Sequence, residues 1–177
     1  MDDLFYFDTR QIKIVTDSVS MAEELVSNFY KMSASQWTQL KYDVVTLADL
    51  AENEIVYGPF AQVIRYEARQ KNRYLGSSSF HFYKICIQDH AISDALATYK
   101  HIDLFPFSLY IMVHELIHVV RFNKFLQHFD ASEEERVAEE ERVHRKTREI
   151  LASVRVKGMD KVFLFYRQWK QPLEYLI

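Results

Sequence analysis

LFPFSLYIMVHELIHVVRF, residues 104–122, is the most apolar stretch of the chain and carries His114, Glu115 and His118 near its centre. Phe105 precedes a proline and is biased towards extended backbone, whereas Pro106 suits the first turn of a helix. The stretch therefore predicts a helix from Pro106 to about Gln127. Leu109, Ile111, Met112, Val113, Leu116, Ile117, Val119, Val120 and Phe122 make that helix apolar almost all round, the mark of an element other elements pack against. Its length approaches that of a membrane span. With three ionisable side chains at its centre and no aromatic or basic girdle before it, a buried core helix is the better reading.

Downstream, Asp130-Ala131-Ser132 breaks the pattern. Ser132 with Glu135 forms a capping box, and three glutamates in the first turn suit the helix dipole. A second helix is predicted from Glu133 to about Val156, with Gly158 as a left-handed cap. At about 100° per residue, Val137, Val143, Thr147, Ile150, Leu151 and Val154 define its inward face. Glu140 falls near the centre of that face and His144 one turn further on, while Glu139 and Glu141 fall at its edges. A glutamate amid apolar side chains is costly unless something neutralises it. Antiparallel helices joined near Phe129 bring residues of equal offset to one level: His118 and Glu140 are each eleven residues from Phe129, His114 and His144 each fifteen. Four polar side chains thus converge on one point. A one-residue shift of the loop centre would exchange Glu140 for Glu141.

The pattern at 114–118 is H-E-x-x-H. Histidines four apart on a helix lie about 5–6 Å from each other at Cβ, so both rings reach one cation. Catalytic zinc takes three protein ligands and keeps one position open; it brings the pKa of water towards neutrality, and a neighbouring carboxylate accepts the proton. On this pattern His114, His118 and Glu140 are the candidate zinc ligands and Glu115 the candidate general base. His144 is a further catalytic candidate, with three roles open: hydrogen bonding to a tetrahedral intermediate, completing the coordination sphere, or orienting Glu140. Tyr99 and Tyr110 are conceivable oxyanion donors, although packing is the commoner role for such residues.

Other arrangements use the same residues. Glu115…His118 and Glu141…His144 are both E-x-x-H, the spacing of carboxylate-bridged di-iron bundles. Such bundles need two more glutamates on long helices, and Glu23, Glu24, Glu52 and Glu54 lie on segments too short or too strand-like. A buried polar network without metal, or a structural zinc closed by His144, completes the set. Glu133, Arg136, Glu139, Arg142, Arg145 and Arg148 are expected to form a solvated, ion-paired face of little energetic weight.

Over residues 106–154 the sequence resembles the zincin superfamily of metallopeptidases, in its gluzincin form, where H-E-x-x-H lies on one helix and a glutamate on the next completes the site. The resemblance implies zinc held by His114, His118 and Glu140, Glu115 as base, and a peptide or protein substrate. It also implies an α+β fold in which a small mixed sheet packs against the central motif helix and its antiparallel partner, with an edge strand that pairs with an extended peptide. The metzincin form is excluded, because Arg121 and Lys124 stand where it needs glycine and histidine.

The rest of the chain supplies the expected sheet. Residues 4–7 and 11–15 suggest N-terminal strands, and Ser20 with Glu23 a capping box for a helix over 20–32. Short strands are expected at 43–46 and 54–57 around a helical turn at 47–51. A hairpin is expected from 62–69 and 80–87, with Gly76-Ser77-Ser78-Ser79 in its turn. Asp89 is expected to cap a helix over 91–100, and 159–169 forms an apolar element of undecided type, docked by the tail after Pro172. At 177 residues, 49% of them hydrophobic, the chain suits one domain, with a sheet-containing half at 1–103 and a helical half at 104–177. A net charge of −3 offers no field for nucleic acid or an anionic membrane. The single Cys86 and an N-terminus without a signal-like segment make the cytoplasm the default location. The oligomeric state is left open.

Overall fold

Every residue from Pro106 to Arg121 is buried in the computed structural model, which describes residues 4–69 and 79–168. These residues belong to helix α4 (Leu104–Asn123), preceded by α1 (Thr9–Phe29), α2 (Ala34–Thr38), β1 (Tyr42–Val45), β2 (Ala61–Arg69), β3 (Ser79–Ile87) and α3 (Asp89–Thr98). It is followed by α5 (Glu133–Ala152) and α6 (Met159–Gln168). The fold is α+β: six α-helices and one mixed three-stranded sheet among the described residues. Although α4 has the length and apolarity of a membrane span, 89% of its most apolar window is covered by the rest of the chain.

β3 is the central strand of the sheet. It pairs in parallel with β1, Tyr42 opposite Tyr83, and antiparallel with β2, Ala61 opposite Ile87, so β1 and β2 are both edges. The expected hairpin is therefore present, while the turn at Gly76-Ser77-Ser78 and the tail after Pro172 lie outside the described residues. On its other side α4 packs against α1. Val15, Ser18, Ala22 and Val26 are buried at helical spacing on α1, and the Ser18 and Ser108 hydroxyls hydrogen-bond across the contact. Small side chains at that crossing let the two helices approach closely.

Several expectations are corrected, the capping box at Ser20 among them, since Ser20 and Glu23 lie inside α1. Residues 11–15 are helical, because α1 begins at Thr9 behind a capping box in which Asp8 Oδ1 accepts from the Gln11 amide (2.8 Å) and Gln11 Oε1 from the Asp8 amide (2.9 Å). The local apolar alternation there imitated a strand; residues 4–7 form neither strand nor helix. Residues 54–57 are not a strand: a 3₁₀ turn, Glu52–Glu54, buries Glu54, which accepts from Lys84 Nζ (2.6 Å) and the Tyr66 hydroxyl (2.5 Å). Asp89 does not cap α3 from outside but lies in its first turn, with its carboxylate accepting from the Phe7 and Leu47 amides (2.9 and 3.1 Å). Finally, α5 stops at Ala152 with Ser153 in right-handed geometry, so Gly158 is not its cap. Gly158 has φ +84 in the turn before α6, where a Cβ would stand 3.4 Å from Pro106 Cγ.

Candidate metal centre

The level-matching of α4 and α5 holds in three dimensions. Ser132 starts α5 with the expected capping box, and the helix returns antiparallel to α4 so that Glu140 faces the two motif histidines. His118 Nε2 lies 2.9 Å from Glu140 Oε1, His114 Nε2 lies 3.1 Å from Glu140 Oε2, and the two Nε2 atoms are 3.2 Å apart. One donor atom from each side chain can be chosen so that all fall within 4.8 Å of one another. Ligands about 2.05 Å from a tetrahedral zinc are separated by roughly 3.3 Å, so the two imidazole nitrogens stand at such a spacing, while each of them faces a different oxygen of the Glu140 carboxylate. The donor set, two imidazoles and a carboxylate, is equally suited to that ion. His114, His118 and Glu140 therefore form a group that could hold a metal.

Electrostatics agree with a site built for a cation. Burial works to raise the Glu140 carboxyl, but the adjoining His118 and His114 outweigh it and hold Glu140 well below the usual carboxylate range. Burial likewise works to lower His118; Glu140 dominates and pushes it up to about 9. At neutral pH the Glu140 carboxylate therefore favours the protonated imidazole of His118. The far side of the His118 ring is fixed too, because Nδ1 is 2.9 Å from Gln127 Oε1. Donation from Nδ1 to that amide oxygen leaves the Nε2 lone pair for a metal, the usual outer partner of a ligating histidine. His114 Nδ1 is buried and has no hydrogen-bond partner among the described residues.

Glu115 and His144 stand beside this group rather than in it. Together with Phe60, Ala61, Ile111, His114 and Tyr166 they line a cavity of about 10 Å3, space for about one water molecule. Burial raises the Glu115 carboxyl, opposed in part by His114 and His118. His144 packs against His114 with ring centres 4.3 Å apart, and its Nδ1 is 2.8 Å from the Tyr110 hydroxyl. Burial, assisted by His114, pushes His144 down to about 3, so its ring is neutral at physiological pH. Tyr110 thus serves His144. Tyr99 is half exposed and packs its ring on Phe165, away from the cavity.

The three consecutive glutamates of α5 part company. Glu141 is exposed, so the second E-x-x-H does not present its carboxylate to the histidines. Glu139 is not on a solvated face: it is buried and accepts from both Arg121 and Arg142. Sequence reasoning missed Glu139, and also Gln127, Phe60 and Tyr166. Only Glu139 had a signal, since Arg121 inside the apolar run needs a buried acid as much as Glu140 needs a cation. The chain matches no protein-family model, no curated protein and no solved structure, so the centre has to be understood from its own geometry.

Proposed function

We propose that this protein is a zinc-dependent metallopeptidase of the zincin type. The observation that carries this is the convergence of His114, His118 and Glu140, whose donor atoms lie within 4.8 Å of one another, with Glu115 on the wall of a water-sized cavity beside them. Zinc held by His114, His118 and Glu140 would supply Lewis acidity, polarising a peptide carbonyl and making water more acidic. Glu115 follows the first ligand in sequence, and its raised pKa suits a base that takes a proton from water and passes it to the departing amine. His144 is held in place by Tyr110; with the Tyr110 hydroxyl donating to Nδ1, the neutral ring keeps its own proton on Nε2 as a donor at the cavity wall. The β2 edge begins at Ala61 on the same cavity, and a strand at the edge of a sheet suits an extended peptide.

One observation favours a second reading, a zincin-derived metal-binding protein without peptidase activity. Tyr166 of α6 stacks on Tyr110 with ring centres 4.0 Å apart and forms part of the cavity wall, leaving room for water but not for a peptide. Elemental analysis of protein purified without a metal-affinity tag, beside His118→Ala, tests both readings: about one zinc per chain, lost in the variant, is expected. Cleavage of a peptide library by the wild type but not by Glu115→Gln then supports the peptidase. Zinc without cleavage selects the second reading, and no metal after reconstitution sinks both.

A further inference from the structure

We propose that Arg121 is the positioning residue of this centre, selecting which of three consecutive glutamates becomes the third ligand. The inference rests on the metal-site reading above. Glu139, Glu140 and Glu141 point about 100° apart around α5, and a small rotation of that helix would change which carboxylate meets His114 and His118. Arg121 lies three residues beyond His118, on the neighbouring row of α4. Its guanidinium takes Glu139 with both Nε and Nη2, the latter at 3.1 Å from Oε2. Both partners are buried, Arg121 at 7% and Glu139 at 6% exposure. With Glu139 engaged on one side, α5 has a single rotation left, and it directs Glu140 at the histidines and Glu141 at solvent.

The same side chain reaches the loop that holds another of the three residues, His118. Arg121 Nη2 also donates to the Leu126 carbonyl at 3.3 Å, and the Leu126 amide donates to the Arg121 carbonyl at 2.8 Å. The next residue is Gln127, whose Oε1 meets His118 Nδ1. One planar fork thus ties the helix that bears Glu140 and the loop that orients His118, a geometry a lysine cannot reproduce.

A paired variant, Arg121→Met with Glu139→Met, tests this, because replacing a buried ion pair by apolar groups of similar size often leaves stability unharmed. Three quantities are read: thermal midpoint of the metal-free chain, zinc dissociation constant, and visible spectrum of the cobalt(II)-loaded chain. The expected result is a metal-free midpoint within a few degrees of wild type, zinc affinity weakened about 10–100-fold, and altered cobalt bands. Wild-type affinity with an unchanged cobalt spectrum in the paired variant overturns the positioning role and leaves the metal site standing. If the wild-type chain takes up neither zinc nor cobalt, the metal-site reading falls and this role with it. Should the paired variant not fold, Arg121→Lys decides: it keeps a cation beside Glu139 without the fork, so the same loss of affinity is expected and wild-type affinity overturns the role.

Discussion

On the proposed reading Glu115 is the residue on which peptidase chemistry depends, and it is separable from metal binding because it lies outside the group formed by His114, His118 and Glu140. Glu115→Gln preserves size while removing the base. Turnover should fall about 10²–10⁴-fold with zinc content unchanged; loss of zinc in that variant would place Glu115 among the ligands. His118 sets a pH dependence. Its value in the folded, metal-free chain is raised from 6.5 to about 9 by Glu140. The stability that His118 contributes is therefore fully present below pH 6.5 and is lost as pH rises through about 9, whereas the contribution of Glu140, whose carboxyl is held low, is lost as pH falls through its depressed value. A zinc ion bound here would have to displace the same proton. Its affinity should rise about tenfold per pH unit towards pH 9 and then level off, leaving binding at pH 7 roughly 100-fold weaker than at the plateau. Calorimetric titration in two buffers of different ionisation enthalpy should detect about one proton released per ion, and no release would mean that His118 is already neutral.

Among the elements, the helix ends show where local chemistry is imperfect. α1 and α4 both close with a residue in left-handed geometry that is not glycine, Lys31 (φ 51) and Phe125 (φ 55). In each case the following amide bonds back five residues: Met32 N to the Ser27 carbonyl at 2.9 Å, and Leu126 N to Arg121 at 2.8 Å. A side chain in that conformation costs about 1–2 kcal/mol. Lys31 is exposed, so Lys31→Gly should raise the thermal midpoint by roughly 2–4 °C for about 1 kcal/mol regained; a lower midpoint would show that the lysine side chain contributes more than its backbone costs. α6 is the element that closes the centre. Removing its ring in Tyr166→Ala should speed zinc transfer to a chelator several-fold, measured by competition with a chromogenic dye. An unchanged rate would show that the ion leaves by another route.

At the scale of the whole molecule, the centre joins α4, on which α1 and the sheet are assembled, to α5. An ion bound only by the folded chain stabilises it by about 4 kcal/mol at a thousandfold excess over its dissociation constant, or roughly 8–16 °C for a chain of this size. Calorimetric scans with and without chelator should differ by an amount of that order, and coincident scans would mean that the α4–α5 junction gains nothing from metal. Much of this architecture was legible beforehand. The apolar run at 104–122 is the core helix, Ser132 and Glu135 begin α5, and 62–69 with 80–87 make the hairpin. Equal offsets from Phe129 bring Glu140 to His118. The start of α1 was less legible, because five residues of apolar alternation resemble a strand until Asp8 and Gln11 are recognised as a cap.

By itself the sequence determined what depends on short-range periodicity: which side chains share a face of α4, where α5 starts, and the level at which the two helices meet. These follow from a constant rise and turn per residue, which need no knowledge of neighbours. Only the tertiary structure decided between Glu140 and Glu141, that Glu139 is buried against Arg121, that Gln127 holds His118, and that Tyr166 closes the cavity. Each of these depends on what an adjacent element offers across a gap of a few ångströms. Burial and pairing are properties of that gap, and the order of residues along one helix does not contain them.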